Sequence, residues 1–74
     1  MMGDELRRRR LKLGVSQLRL SAVVGVPLET LIRWEERRMP IPAEYLSTLD
    51  STLEAFEREL LSRFIWSERE ASGH

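Results

Sequence analysis

The sequence predicts an all-α protein of four to five helices, of which the last is long. Glycine or proline stands at five positions between residues 14 and 42 and divides this part of the chain into short segments. No stretch shows the strict alternation of apolar and polar residues that indicates a strand. Residues 43–72 contain neither glycine nor proline, so they can form an extended helix. The chain is therefore expected to be a small helical bundle.

The first helix is expected to run from about Glu5 to Leu13. Asp4 is a candidate N-cap, because its side-chain oxygen can accept a hydrogen bond from a free amide of the first turn. Gly14 suits the position after the last turn, where many helices adopt a left-handed backbone that glycine tolerates. Both ends of this helix are therefore marked in the sequence.

Two short helices with a tight corner between them are expected to follow. Ser16 is a favourable N-cap for the second helix, which should end at Val24, just before Gly25. The third helix should begin with Pro27, because the amide that proline lacks would have no partner in a first turn. It should end near residues 36–37.

The inner faces of these two helices carry small and apolar residues. Leu20 and Ser21 lie on that face of the second helix, and Thr30, Leu31 and Trp34 lie on that face of the third. Helices joined and packed in this way can hold one of the pair out from the surface of a bundle. This is the geometry needed to enter a major groove of DNA, so the pair is a candidate helix-turn-helix.

Large apolar residues recur at spacings of three and four in the C-terminal part, which is a heptad pattern. Two alternatives are open. One is a continuous helix of about 27 residues, about 40 Å long. The other is a pair of helices broken at Asp50-Ser51, where residues 51–54 fit a capping box. The continuous helix is favoured, because aspartate and serine cost a helix interior only a few tenths of a kcal/mol. The repeating positions are Leu46, Leu49, Leu53, Phe56, Leu60 and Phe64.

Length and composition limit the functions open to the chain. Its 74 residues should form one domain, 1–74, with the first three helices at 4–38, the helix-turn-helix at 16–37 and a C-terminal segment at 42–70. Cysteine is absent and the only histidine is the last residue, so a disulfide or a metal site is not expected. Neither a glycine-rich phosphate loop nor a pair of converging carboxylates stands out. We therefore expect no catalytic residues, no enzymatic activity, no metal and no cofactor.

Charge is distributed unevenly along the chain. Residues 1–38 carry nine Lys/Arg and five Asp/Glu, a net charge of +4, whereas residues 39–74 carry three and seven, a net charge of −4. This asymmetry suggests that the first half faces a polyanion. The sequence contains no run of about 18 apolar residues, which is the length needed to span a membrane. The charged stretch 4–12 does not fit a secretory leader, so the expected location is the cytoplasm.

The order and spacing of one set of residues follow the pattern of a known family. These residues are Arg10, Gly14, Ser16-Gln17, Leu20, Gly25-Val26, Thr30-Leu31, Trp34-Glu35 and Pro40. Through them the stretch 6–42 resembles the lambda-repressor-like family of helix-turn-helix DNA-binding domains, also called the Cro or xenobiotic-response-element type. The resemblance implies a lambda-repressor-like bundle that binds double-stranded DNA and regulates transcription. The acidic second half with its long helix is also similar to small phage or mobile-element autorepressors, such as anti-CRISPR-associated regulators, and to the DNA-binding half of some antitoxins.

The chain departs from the family pattern at three places. Ser21 stands where the family usually has alanine. Arg37 stands where a glycine often follows the third helix, so the exit from that helix is expected to differ. Pro27-Leu28 replaces the usual small polar opening of the recognition helix, and this changes the base contacts that are open to it.

The resemblance implies where DNA phosphates would be bound. Ser16 and Gln17 begin the second helix, whose free amides favour an anion, and Gln17 is expected to meet a phosphate. Arg37 and Arg38 follow the third helix and could contact the backbone further along, although a solvated helix exit is the alternative.

The outward face of the third helix would read the bases. Arg33 could pair with guanine, Glu29 could accept from cytosine, and Leu28 and Ile32 could contact thymine methyl groups. Two alternatives remain. Arg33 and Glu29 could form an ion pair with each other, worth about 0.2–0.5 kcal/mol. Leu28 and Ile32 could instead be buried against a partner protein.

A structural ion pair is implied behind that face. In the family register, Arg10 on the first helix lies beside Glu35 at the end of the third. A guanidinium can hold a carboxylate with two parallel hydrogen bonds, so this pair should join the two helices. Trp34 is expected in the core.

The C-terminal seam suggests a two-fold homodimer, because it offers more apolar surface than a small core absorbs from one side. The alternative is that the seam folds back on its own chain, as Leu46 and Leu49 are expected to do. The favoured function is a dimeric repressor that reads a palindromic operator, and the alternative is a protein-interaction module or antitoxin-like partner. A pI of 6.6 is low for a DNA-binding domain and supports that alternative. No small-molecule effector is evident. The candidate dimer residues are Leu53, Phe56, Leu60, Phe64, Ile65 and Trp66.

Overall fold

The computed structural model describes the backbone of residues 1–72 and the side chains of residues 1–64. All regular structure in this part of the chain is helical, which confirms the predicted all-α fold. The four helices are α1 (Gly3–Leu13), α2 (Gln17–Val24), α3 (Leu28–Glu35) and α4 (Ala43–Ser72).

The three short helices end in the same way. Gly14 and Gly25, directly after α1 and α2, adopt a left-handed backbone with φ of 67° and 84°, and Arg37, two residues after the end of α3, does so with φ of 63°. This conformation turns the next amide back to a carbonyl of the last turn, which satisfies a group that a helix end leaves free. The exit from α3 therefore keeps the same geometry although it lacks a glycine. The three closing bonds are Val15 N to Arg10 O, Val26 N to Ser21 O and Arg38 N to Arg33 O, at 3.3, 3.0 and 3.0 Å.

The helix starts agree with the sequence at α2 and differ elsewhere. The Ser16 hydroxyl accepts from the Arg19 amide at 3.0 Å and caps α2 as predicted. The prediction for α1 was wrong, because the helix begins at Gly3 and Asp4 lies inside its first turn. Pro27 precedes α3 and does not form its first residue. Its carbonyl instead accepts the first helical hydrogen bonds.

An early start for α1 is explained by its contact with the end of α3. A Cβ atom at Gly3 would lie 1.8 Å from the carbonyl oxygen of Trp34, so only glycine allows the two backbones to approach this closely. The contact is between residues far apart in sequence, which is why local capping rules do not reveal it.

The core lies where α4 crosses the first three helices. Trp34 is 1% exposed and its ring lies against Tyr45, with the ring centroids 5.3 Å apart. The apolar faces of all four helices thus meet in one cluster. Its fully buried aliphatic members are Leu6, Leu20, Leu31, Leu49 and Leu53.

Residues 43–72 form one continuous helix, as favoured from the sequence. Asp50 lies inside this helix, and its carboxylate accepts from Arg9 Nη1 on α1 at 2.7 Å. Arg9 also lies 3.5 Å from Glu57, so this one guanidinium joins α1 to two positions of α4 that are about two turns apart. At 1.5 Å per residue α4 is about 45 Å long, and the molecule measures 51 × 19 × 18 Å.

Candidate nucleic-acid interface

The two faces of α3 differ in exposure. Leu31 and Trp34 are buried in the core. On the opposite face Glu29 and Arg33 are exposed, and Leu28 is 38% exposed. Ile32, the fourth residue expected on the outward face, is half-buried. The helix therefore presents a mixed polar and apolar strip that the described part of the chain does not cover.

Arg33 and Glu29 form the ion pair that the sequence left as an alternative. Arg33 Nη2 donates to Glu29 Oε1 at 2.7 Å, and the two side chains are 51% and 75% exposed. An exposed pair one turn apart contributes only about 0.2–0.5 kcal/mol. Arg33 and Glu29 can therefore exchange this ion pair for stronger interactions with a bound molecule.

A buried ion pair lies behind this face. Arg10 donates from Nε to Glu35 Oε2 at 2.6 Å and from Nη2 to Glu35 Oε1 at 2.8 Å. The third nitrogen of the Arg10 guanidinium, Nη1, donates to the Val15 carbonyl at 2.9 Å. The hydrogen bond to Glu35 raises the pKa of Arg10, so its charge is fixed. One guanidinium thus joins α1, the turn before α2 and the end of α3.

Gln17 is connected to the same pair. Its Nε2 donates to Glu35 Oε1 at 3.2 Å, so the carboxylate also holds the first residue of α2. The family resemblance implies a DNA phosphate at Gln17 but did not indicate this contact, and sequence periodicity does not connect residues on different helices. This hydrogen bond orients the side-chain amide of Gln17. It does not use the second N–H or the carbonyl of that amide.

The other candidate phosphate contacts lie at two helix ends. Ser16 is exposed, and its hydroxyl is used as the cap of α2. The free amides of the first turn of α2 lie next to it. Arg37 and Arg38 are both exposed just beyond α3, and Arg38 pairs with Glu36 at 2.9 Å.

A family profile for helix-turn-helix domains of the Cro/C1 type matches residues 6–56, which is more than half of the chain. The chain belongs to this helix-turn-helix family. Members of the family are DNA-binding regulators and the family is not an enzyme family, so this chain is a DNA-binding regulator of the Cro/C1 type. Comparisons with curated proteins and with solved structures gave no significant match.

The predicted dimer residues on α4 differ in how far their side chains are exposed. Leu53 is fully buried by its own chain and belongs to the core, while Phe56 is half-buried, with the Arg19 guanidinium 5.1 Å from its ring centre. Further along, Leu60 and Phe64 are 49% and 62% exposed. Leu61, which the heptad pattern missed, is 59% exposed beside them. Two further candidates, Ile65 and Trp66, lie outside the described side chains.

Within the described residues, no helix has both the length and the apolar character needed to cross a bilayer.

Proposed function

We propose that this regulator is a sequence-specific repressor that binds a palindromic operator as a homodimer and reads it with α3 in the major groove. The observation that carries the proposal is the uncovered outward face of α3, held in place by the buried Arg10–Glu35 pair. Repression by occupying a promoter needs no catalysis, and it fits the cytoplasmic location expected from the sequence. A helix held rigidly by a buried pair can position its side chains against base edges.

Base reading is assigned to the four residues of that face. Arg33 can exchange its weak ion pair for two hydrogen bonds to guanine O6 and N7. Glu29, released by that exchange, can accept from cytosine N4. Leu28 and Ile32 can contact thymine methyl groups, which suits their apolar side chains.

Phosphate contacts are assigned to both ends of the helix-turn-helix. Ser16 and Gln17 lie at the start of α2, where free amides favour an anion. Arg37 and Arg38 supply charge beyond α3, and the first half of the chain carries the net charge of +4 that a polyanion requires.

The dimer is assigned to the exposed apolar part of α4. Leu60, Leu61 and Phe64 form a patch on this helix beyond the fully buried Leu53. A second copy related by a two-fold axis would cover the patch on both chains. Two copies of α3 would then have to lie about 34–36 Å apart to reach successive major grooves.

Selection of bound sequences from random duplexes tests the assignment. We expect a palindromic site, and Arg33→Ala should lose discrimination at one guanine in each half-site, by about 1–3 kcal/mol. Arg63→Ala is a matched control, because Arg63 forms the same kind of exposed pair with Glu59 on α4, at 2.7 Å. Equal weakening at every base in Arg33→Ala would reduce Arg33 to a backbone contact. Absence of any selected sequence would reject the proposal.

A protein-interaction module, such as an antitoxin-like partner, is the second candidate. It is favoured by the exposure of Leu28 beside Ile32 on the outward face and by the overall net charge of zero. Salt dependence separates the two. A DNA-reading protein should lose affinity steeply as salt rises, because bound counterions are released from the duplex. A protein-binding face should retain its partner over the same range.

A further inference from the structure

A cavity of about 360 Å³ lies between the start of α1 and the segment that follows α3. Its walls include all three methionines of the chain, Met1, Met2 and Met39. Trp34 and Ile41 also contribute to them. The volume is within the range of small-molecule sites, at its lower end. Methionine side chains are flexible and polarizable, so they adapt to apolar ligands of irregular shape.

Arg37 brings a positive charge to the same cavity. Among the residues whose side chains are described, no carboxylate lies within 4.0 Å of its guanidinium, whereas the neighbouring Arg33 and Arg38 are both paired. Arg37 has a left-handed backbone, with φ of 63°, which residues other than glycine rarely adopt. A backbone outlier of this kind points to a function for the side chain.

We propose that this cavity binds a small apolar carboxylate. The hydrocarbon body would lie among the methionines, and the carboxylate would pair with Arg37, whose planar fork matches it. A small molecule is favoured over a segment of a partner protein, because the walls come from one helix start and one short connector and do not form an extended groove. Where DNA is bound as proposed above, such a ligand would compete with a phosphate for Arg37.

Tryptophan fluorescence with octanoate as the probe tests the site. Trp66→Phe leaves Trp34 as the sole tryptophan, so its emission reports on the cavity wall. We expect a saturable change with a dissociation constant on the order of a millimolar, as suits a ligand of this size. Octylammonium, which has a similar alkyl chain and the opposite charge, should bind roughly tenfold more weakly. Absence of saturation with octanoate, or an equal response to octylammonium, would overturn the proposal.

Two arginine variants in the same background complete the test. Arg37→Gln should weaken octanoate binding roughly tenfold, because the charge-assisted pair is lost. Arg38→Gln removes the same charge from the next residue, which is paired with Glu36, and should bind octanoate as well as the parent does. Equal binding by all three proteins would exclude a carboxylate site at Arg37. These titrations contain no DNA, so a failure to bind operators would reject the repressor and leave this result unaffected.

Discussion

Among single residues, Arg10 and Glu35 are those whose replacement should change the free energy of unfolding most. Their side chains are 8% and 1% exposed, so neither charge is solvated once its partner is removed. Arg37 has the opposite character, since its side chain is exposed and the cost lies in its backbone. The two sites therefore predict stability changes of opposite sign.

Glu35→Ala should lower the free energy of unfolding by about 3–5 kcal/mol, because it leaves the Arg10 guanidinium buried without an opposite charge. Urea unfolding followed by circular dichroism measures the change. Glu36→Ala removes an exposed carboxylate from the next position and should change stability by less than about 0.5 kcal/mol. An unchanged free energy of unfolding in Glu35→Ala would rule out a buried pair.

Arg37→Gly should raise the free energy of unfolding by about 0.5–1 kcal/mol. A side chain in the left-handed region costs roughly 1–2 kcal/mol, and glycine removes this cost. Part of the benefit is offset, because glycine loses more backbone entropy on folding than arginine does. Gly25→Ala, at φ of 84°, is the reverse change at an equivalent helix end and should destabilise the protein. A less stable Arg37→Gly protein would show that the arginine makes a stabilising contact. If Arg37 binds a phosphate, the stabilised variant should also bind DNA more weakly.

At the scale of elements, the positions of α1 and α4 depend on contacts that cross between helices. Ser16 and Gly14 could be assigned from the sequence, because caps and turns are set by neighbouring residues. The start of α1 could not, because it depends on how closely Gly3 approaches the α3 backbone. The heptad period identified the apolar stripe of α4 but not which part its own chain covers, as Leu53 illustrates. The cavity beside Trp34 was also not predictable, since its shape arises only from packing.

Gly3→Ala should weaken the packing of α1 on α3 by about 1–3 kcal/mol, as expected when a methyl group is forced into a filled space. Thermal unfolding measures the change. Asp4→Ala is the control: a true N-cap would lose about 1 kcal/mol, whereas an exposed residue inside the first turn should lose much less. Equal stability of Gly3→Ala and the parent would mean that the first turn of α1 is not held against α3.

At the scale of the whole molecule, α4 extends further than the body formed by α1–α3. Its first half packs on that body through Leu49 and Leu53, and the patch of Leu60, Leu61 and Phe64 follows. An apolar patch at this distance from the core contributes to stability only if another surface covers it. The oligomeric state is therefore the property of the whole molecule that most needs measurement.

Phe64→Glu should convert the proposed dimer to a monomer, because it places a charge in the patch. Sedimentation at micromolar concentration measures the mass. Leu11→Glu is a matched control, since Leu11 is 56% exposed on α1 and lies away from the patch in sequence. It should leave the dimer intact. A parent protein that sediments strictly as a monomer would remove the dimer from the proposal.

The guanidinium of Arg10 also constrains how this chain can evolve. Replacing both charged partners by apolar residues of similar size is often neutral, but replacing either one first strands the other. The intermediate would lose about 3–5 kcal/mol, a large part of the roughly 5–15 kcal/mol by which folded proteins are typically stable. Positions 10 and 35 should therefore covary among homologues, with both charges kept or both replaced.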